Sequence, residues 1–442
     1  MKNYDEQGLA YTGANQGSLE LFAQARHELL CYIDDPVATV DKAIAVSSGF
    51  AMAHVLRAYL HLLGTEPADI AIARTSLEAA ARCGGNTRER AHQEAVRHLV
   101  QGGWHKAGRV LEDIAIENPR DILALQAGHL VDFYTGNARM LRDRIARALR
   151  SWSIEMTGYH ALLGMYAFGL EETAAYDKAE RFGRQAVEIE PRDGWGQHAV
   201  AHVMEMQCRP REGIAWMRAN PDAWATGSFF AVHNWWHLAL YHLELGEIDE
   251  VLELYDGPIY GERSTMVLDM IDASAMLWRL HLRGIDVGDR WLALADNWMP
   301  VAQAGNYAFN DLHATMAFVE TGRTDAVNEV LEAQEAAMAR EDDNAAFTRD
   351  VGRPLSLAIR AFAEEDYLTS VELIRSVREI AHRFGGSHAQ RDLLDLTLIE
   401  AALRGGKKNL AHALSAERLA IRPDSPSVRL IGERAGGLSM AA

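Results

Sequence analysis

Glu117-Asn118-Pro119-Arg120-Asp121 and Ile189-Glu190-Pro191-Arg192-Asp193 carry the same stop-then-start signal, their prolines 72 residues apart, or two periods of 36. Proline just past a helical stretch cannot continue the helix, and the aspartate two residues on is a favoured N-cap for the next one. Glycines mark corresponding turns at Leu245-Gly246-Glu247, Thr321-Gly322-Arg323 and Arg404-Gly405-Gly406. Glycine there supplies the left-handed conformation that lets an antiparallel hairpin turn. Between these breaks nearly every segment reads as an amphipathic helix of ~10–20 residues, for example 104–117, 121–135, 194–207, 226–245, 264–283 and 306–321. No run of alternating polarity predicts a strand. The expected fold is all-α: an α-α superhelix, a solenoid of about ten antiparallel helix pairs. Residues 1–17 read as an N-terminal extension, 18–421 as one continuous solenoid and 422–442 as a C-terminal tail.

Composition narrows the partners. Of 442 residues, 48% are hydrophobic and 24% charged, an ordinary balance for a chain with a large core. Lys+Arg 44 against Asp+Glu 62 leaves a formal charge of −18, which repels phosphate backbones and anionic lipid. Nucleic acid and membrane are therefore not expected as partners. The start, MKNYDEQGLAYTG, lacks the basic and apolar regions of a signal peptide, and no apolar stretch approaches the ~20 residues of a membrane span. The three cysteines, Cys31, Cys83 and Cys208, are far apart, so neither a disulfide framework nor a cysteine zinc site is expected. The chain reads as cytoplasmic.

Two segments carry the chemistry. His198-Ala199-Val200-Ala201-His202 and His233-Asn234-Trp235-Trp236-His237 each hold histidines at i and i+4, which project from one helix face. They lie 35 residues apart, the length of a tetratricopeptide-type repeat, so the spacing predicts four imidazoles on one interior surface beside Glu205. The same register extends to His160 and Tyr159 on one side, and to Asp269, Asp272, Asn310 and His313 on the other. His388 and Arg391 occupy a comparable helix start. Half a dozen buried polar groups, each costing ~1–3 kcal/mol if unpaired, must bond one another, bind a ligand or face a wet cavity. Taken singly, each histidine reads as a satisfied packing residue. Trp235 and Trp236 differ by ~100° around the helix, so one of them belongs to the core.

The segments H198-A-V-A-H-V-M-E-M-Q207, F230-A-V-H-N-W-W-H-L-A-L-Y-H-L-E244 and G385-G-S-H-A-Q-R-D392 resemble the tetratricopeptide repeat protein 38 family, over roughly residues 20–430. The resemblance implies a tetratricopeptide-like (TPR-like) helical superhelix and says little about activity.

The functional expectation is a concave pocket that takes a small polar or anionic metabolite. His198, His202, His233 and His237 would act as general acids or bases, with Asp272 or Asp269 fixing a tautomer, as in a small hydrolase or lyase. Tyr159, His160, Asn234, Trp235, Asn310, His313 and His388 would line it, and Arg391 would anchor a carboxylate or phosphate. A divalent transition metal held by His198, His202, His233 and His237 with Glu205 is the sharper version, although neither segment has the glutamate of HExxH. The alternative is a scaffold gripping a peptide or protein in its concave groove. Solenoid ends also leave homo-oligomer contacts open. There is no GxSxG elbow, P-loop or GxGxxG.

Overall fold

A computed structural model describes residues 3–437. The chain is all-α and TPR-like, built from consecutive helices that pack along one another through short turns. The sequence signals act as read. Asp121 Oδ1 accepts the Ala124 amide at 3.1 Å and Asp193 Oδ1 the Gly196 amide at 2.8 Å, so both aspartates cap the helices they precede. Gly246 turns with φ 76° and Gly322 with φ 65°, the left-handed conformation expected at these corners.

The chain forms two compact units. One holds the residues up to Val203 together with Asn220–Ala231; the other holds Met204–Ala219 and the residues from Val232 onward. Within each, helices alternate in character. The helix Ile122–Tyr134 of the first unit is buried at every position but Phe133, whereas Tyr176–Ile189 buries only Ala179, Gly183 and Ala186. The second unit repeats this with Val267–Leu282, buried except at Leu268 and His281. Distant repeats cover the inner helices: Gln126 Nε2 donates to the Tyr32 hydroxyl at 2.7 Å in the first unit. In the second, Trp278 Nε1 donates to Thr397 Oγ1 at 3.0 Å and Arg279 to the Ala389 carbonyl at 2.7 Å.

Three places differ from the sequence reading. Asn3–Tyr4 and Ala10–Tyr11 pair as an antiparallel ribbon, too short to show any alternation. The stretch beyond 421 carries a further helix, Pro426–Gly437, packed on Lys408–Ile421 and started by proline at its first turn. The helix expected over 226–245 begins only at Ala231, and a short helix, Pro221–Ala225, stands before it.

Candidate functional site

In the first unit His198 and His202 project from the helix Gly194–Met206 on a shared face, their rings 4.3 Å apart and perpendicular. Aromatic side chains wall them in. Phe168 stacks on His198 at 5.3 Å, Trp195 lies 5.0 Å away and Phe230 5.2 Å. Tyr32 stacks on Trp195 at 5.5 Å. The Nδ1 of His202 lies 3.6 Å from the buried carboxylate of Glu171. His160 opens the helix Tyr159–Glu171 and directs Nδ1 to Asp193 at 2.9 Å, while Tyr159 beside it is half-buried.

In the second unit His233 and His237 project from Ala231–Leu245, rings 5.0 Å apart. His233 Nδ1 lies 2.8 Å from Asp272 Oδ2, and His237 Nδ1 lies 3.3 Å from Glu205 Oε2. His237 is fully buried, and its pKa is held well below the ordinary value by burial and then by its neighbour His233. The His233 side chain keeps 14% of its surface exposed, so one imidazole of the pair is accessible. Asp269, buried in the first turn of Val267–Leu282 and three residues before Asp272, has its pKa pushed up to about 6 by burial, then by the Asp272 charge. Trp236 is the core member of the tryptophan pair, stacked on His233 at 5.4 Å with the Arg279 guanidinium 5.2 Å over its ring; Trp235 is half-buried.

The two halves of the register pair in opposite directions along the chain. First-position histidines reach forward to an aspartate, His160 to Asp193 and His233 to Asp272. Fifth-position histidines reach back to a glutamate, His202 to Glu171 and His237 to Glu205. In all four the carboxylate stands on the Nδ1 side, and at 2.9 and 2.8 Å the His160 and His233 contacts are hydrogen bonds, which set the tautomer of those two rings. Glu171 and Asp193 were missed from sequence. Glu171 stands 34 residues before Glu205, so the repeat spacing itself would have found it.

The other expected lining residues are placed separately. His313 donates Nδ1–H to the Phe309 carbonyl at 2.8 Å and packs on the Phe309 ring; burial lowers its pKa to about 4. Asn234 and Asn310 are buried. His388 is exposed, 3.5 Å from an Arg391 nitrogen through Nδ1. Both border a cavity of about 340 Å³ in the second unit. Its wall is charged: Arg378, Arg391, Arg418 and Arg422 face Asp392, Asp395 and Glu417. Arg418 clamps Asp392 through two contacts of 2.6 and 2.7 Å, and Arg378 bonds Asp395 at 2.6 Å and Glu417 at 2.8 Å. Arg422 reaches Glu205 only at 3.8 Å. Burial alone would raise the Asp392 pKa, but the Arg418 and Arg422 guanidiniums hold it far below the usual carboxylate range. Among the described residues no helix is long and apolar enough to cross a membrane.

No protein-family model matches the chain. Among solved structures, human IFIT1 in a dimer with m7Gppp-AAAA is 14% identical, with 99% of this chain and 96% of that one covered, at a TM-score of 0.42. Yeast Tom70 is 11% identical (95% and 87% covered, TM-score 0.32), and the APC/C hetero-tetramer Cut9-Hcn1 12% identical (95% of each, TM-score 0.34). Likenesses this distant carry no argument about activity or ligand.

Proposed function

We propose that the second unit binds a small anionic metabolite in the cavity bordered by His388, Arg391, Arg418 and Arg422. The observation that carries this reading is Arg422 in the wall, a guanidinium 3.8 Å from Glu205 whose charge also acts on Asp392, beside a cavity of about 340 Å³. That volume falls within the ~300–1,000 Å³ usual for small-molecule sites. A carboxylate or phosphate could be held by Arg422 in the bidentate manner guanidinium favours, with Arg391 adding positive charge on the same wall. The test is thermal unfolding of the full chain with inorganic phosphate and with succinate as probes. A ligand at 100 times its Kd stabilises by ~2.7 kcal/mol. The shift is expected to vanish in Arg391→Gln and Arg422→Gln. No shift with any anion, or one untouched by both variants, overturns the reading; the partner-gripping scaffold that a helical-repeat fold supports on its own then stands in its place.

Histidine chemistry is a second reading, favoured by the His233–Asp272 contact of 2.8 Å. A carboxylate on Nδ1 and an accessible ring are what a general base requires, and Asp269, its pKa pushed up to about 6 by burial, is suited to give up a proton. The same geometry suits a transition metal. With Nδ1 turned to Asp272 and Glu205, His233 and His237 carry the carboxylate backing that metal-bound histidines usually have. In the first unit His202, with Glu171 3.6 Å behind it, is backed by a carboxylate in the same way. Elemental analysis of the purified protein separates the two: a metal lost together with His237→Gln supports ligation, and a metal-free protein whose activity depends on His233 supports acid–base chemistry.

A further inference from the structure

We propose that His27, Cys31 and His160 form a zinc site in the first unit, separate from the histidine pairs and from the anion cavity. His27 and Cys31 lie one turn apart on the helix Gln16–Cys31, and His160 comes to them from the helix Tyr159–Glu171. One donor atom from each lies within 4.8 Å of the other two. The Cys31 sulfur stands 3.8 Å from His27 Nδ1 and 4.0 Å from Nε2. Zn–S bonds of about 2.3 Å and Zn–N bonds of about 2.0–2.1 Å at a tetrahedral angle place sulfur and nitrogen about 3.5 Å apart. For His27 and Cys31, a few tenths of an ångström therefore separate the observed spacing from a coordinated one, and His160 must close in from within 4.8 Å.

The outer layer is built for a cation. Asp193, fully buried, holds His160 Nδ1 at 2.9 Å, which leaves the lone pair on Nε2 for coordination. Its other oxygen accepts the Gly196 amide at 2.8 Å, so the carboxylate is fixed in place. Such carboxylate–histidine–metal arrangements orient the ligand and raise its basicity. Charge closes as well: a dication, one thiolate and the Asp193 carboxylate sum to zero, and binding would release the Cys31 thiol proton to solvent. Glu28, next to His27, is turned to Thr39 and Gln24, so it is not placed as a base at this site. Nor does a nucleophilic role for Cys31 fit, since its side chain has no accessible surface. Mixed sulfur and nitrogen donors favour zinc over the hard cations, and three protein ligands leave a fourth position for water. Nothing in the spacing announces this. Cys31 and His160 are 129 residues apart.

The test loads the metal-stripped full chain with Co²⁺ and follows the thiolate-to-cobalt charge-transfer band. The band is expected in the wild type and in a Cys83→Ser/Cys208→Ser variant, and is expected to vanish in Cys31→Ser. Should Cys31→Ser fold poorly, His27→Gln, at a half-buried ring, must weaken Co²⁺ binding instead. Asp193→Asn keeps an N-cap while removing the charge behind His160, and should weaken binding ~10–100-fold. A wild type that shows no band, or a band surviving Cys31→Ser, overturns the proposal. Insensitivity of the band to His233→Gln and His237→Gln keeps the result distinct from any metal in the second unit.

Discussion

Asp269→Asn should make the protein more stable, and only above the acid range. Burial lifts the Asp269 pKa from 3.8 to about 6, so between those values the folded chain keeps a proton that the unfolded chain has released. Stability therefore falls as pH rises through this window, because the native state binds the extra proton. At 1.36 kcal/mol per pH unit the full penalty is about 3 kcal/mol, reached above pH 6, with roughly half of it at pH 5 and little of it left at pH 4. Asparagine is never ionised and escapes all of it. Against this stands the loss of a carboxylate from the first turn of Val267–Leu282, worth ~0.3–1 kcal/mol, so a net gain of about 2–3 kcal/mol is expected at pH 8. Urea unfolding at pH 4 and pH 8 reads the difference through the midpoint. If Asp269 also serves the His233–Asp272 pair, the more stable variant should be the inactive one, the exchange of stability for activity common at working sites. An advantage equal at both pH values, or a variant less stable at pH 8, would refute the reasoning.

Asp311→Asn should behave alike, since burial pushes the Asp311 pKa up to about 7; its advantage, measured the same way, should reach about 4 kcal/mol at neutral pH. Acid should work in the opposite sense on the buried imidazoles. Burial lowers His129 to about 3 and His313 to about 4, so the unfolded chain binds the proton first, and going from pH 7 to pH 5 should cost about 2 kcal/mol for each, seen as a falling melting temperature that His313→Gln partly relieves. Asp121→Ala should cost about 3–5 kcal/mol in urea unfolding, because Arg88 at 2.6 Å and His92 at 3.1 Å lose their shared buried carboxylate. Gly169→Ala should cost ~1–3 kcal/mol in the same assay, as its Cβ would stand 2.5 Å from the Arg142 backbone nitrogen.

The architecture was readable because its signals are local. Pro119 and Pro191 end helices, Asp121 and Asp193 start them, and the capping amides are three residues away. Helix 104–117 was placed to the residue, as Trp104–Glu117. The expectation of i, i+4 histidines sharing a face held for both pairs for the same reason. Partners set by tertiary packing were harder. Asp193 was visible as a cap but not as the group behind His160, and Glu171 could be reached only by carrying the repeat back from Glu205. His27 and Cys31 share the i, i+4 spacing, but the third donor, His160, comes from another repeat and nothing local ties it to them. The helix Pro426–Gly437 was missed because its arginines and glycines dilute the apolar face that docks on Lys408–Ile421.

The first unit is not continuous in the chain: the segment Asn220–Ala231 belongs to it although Met204–Ala219 belongs elsewhere. That segment is bonded in, with Ile33 bridging Ser228, the Asp34 amide donating to the Gly227 carbonyl at 2.7 Å and Phe230 lying 5.4 Å from Trp195. A nascent chain on the ribosome thus cannot finish the aromatic wall around His198 when Val203 emerges; some thirty further residues must be synthesised first. Proteolysis between 203 and 220 would likewise detach the piece that closes the unit, and no fragment cut at that boundary carries the unit whole.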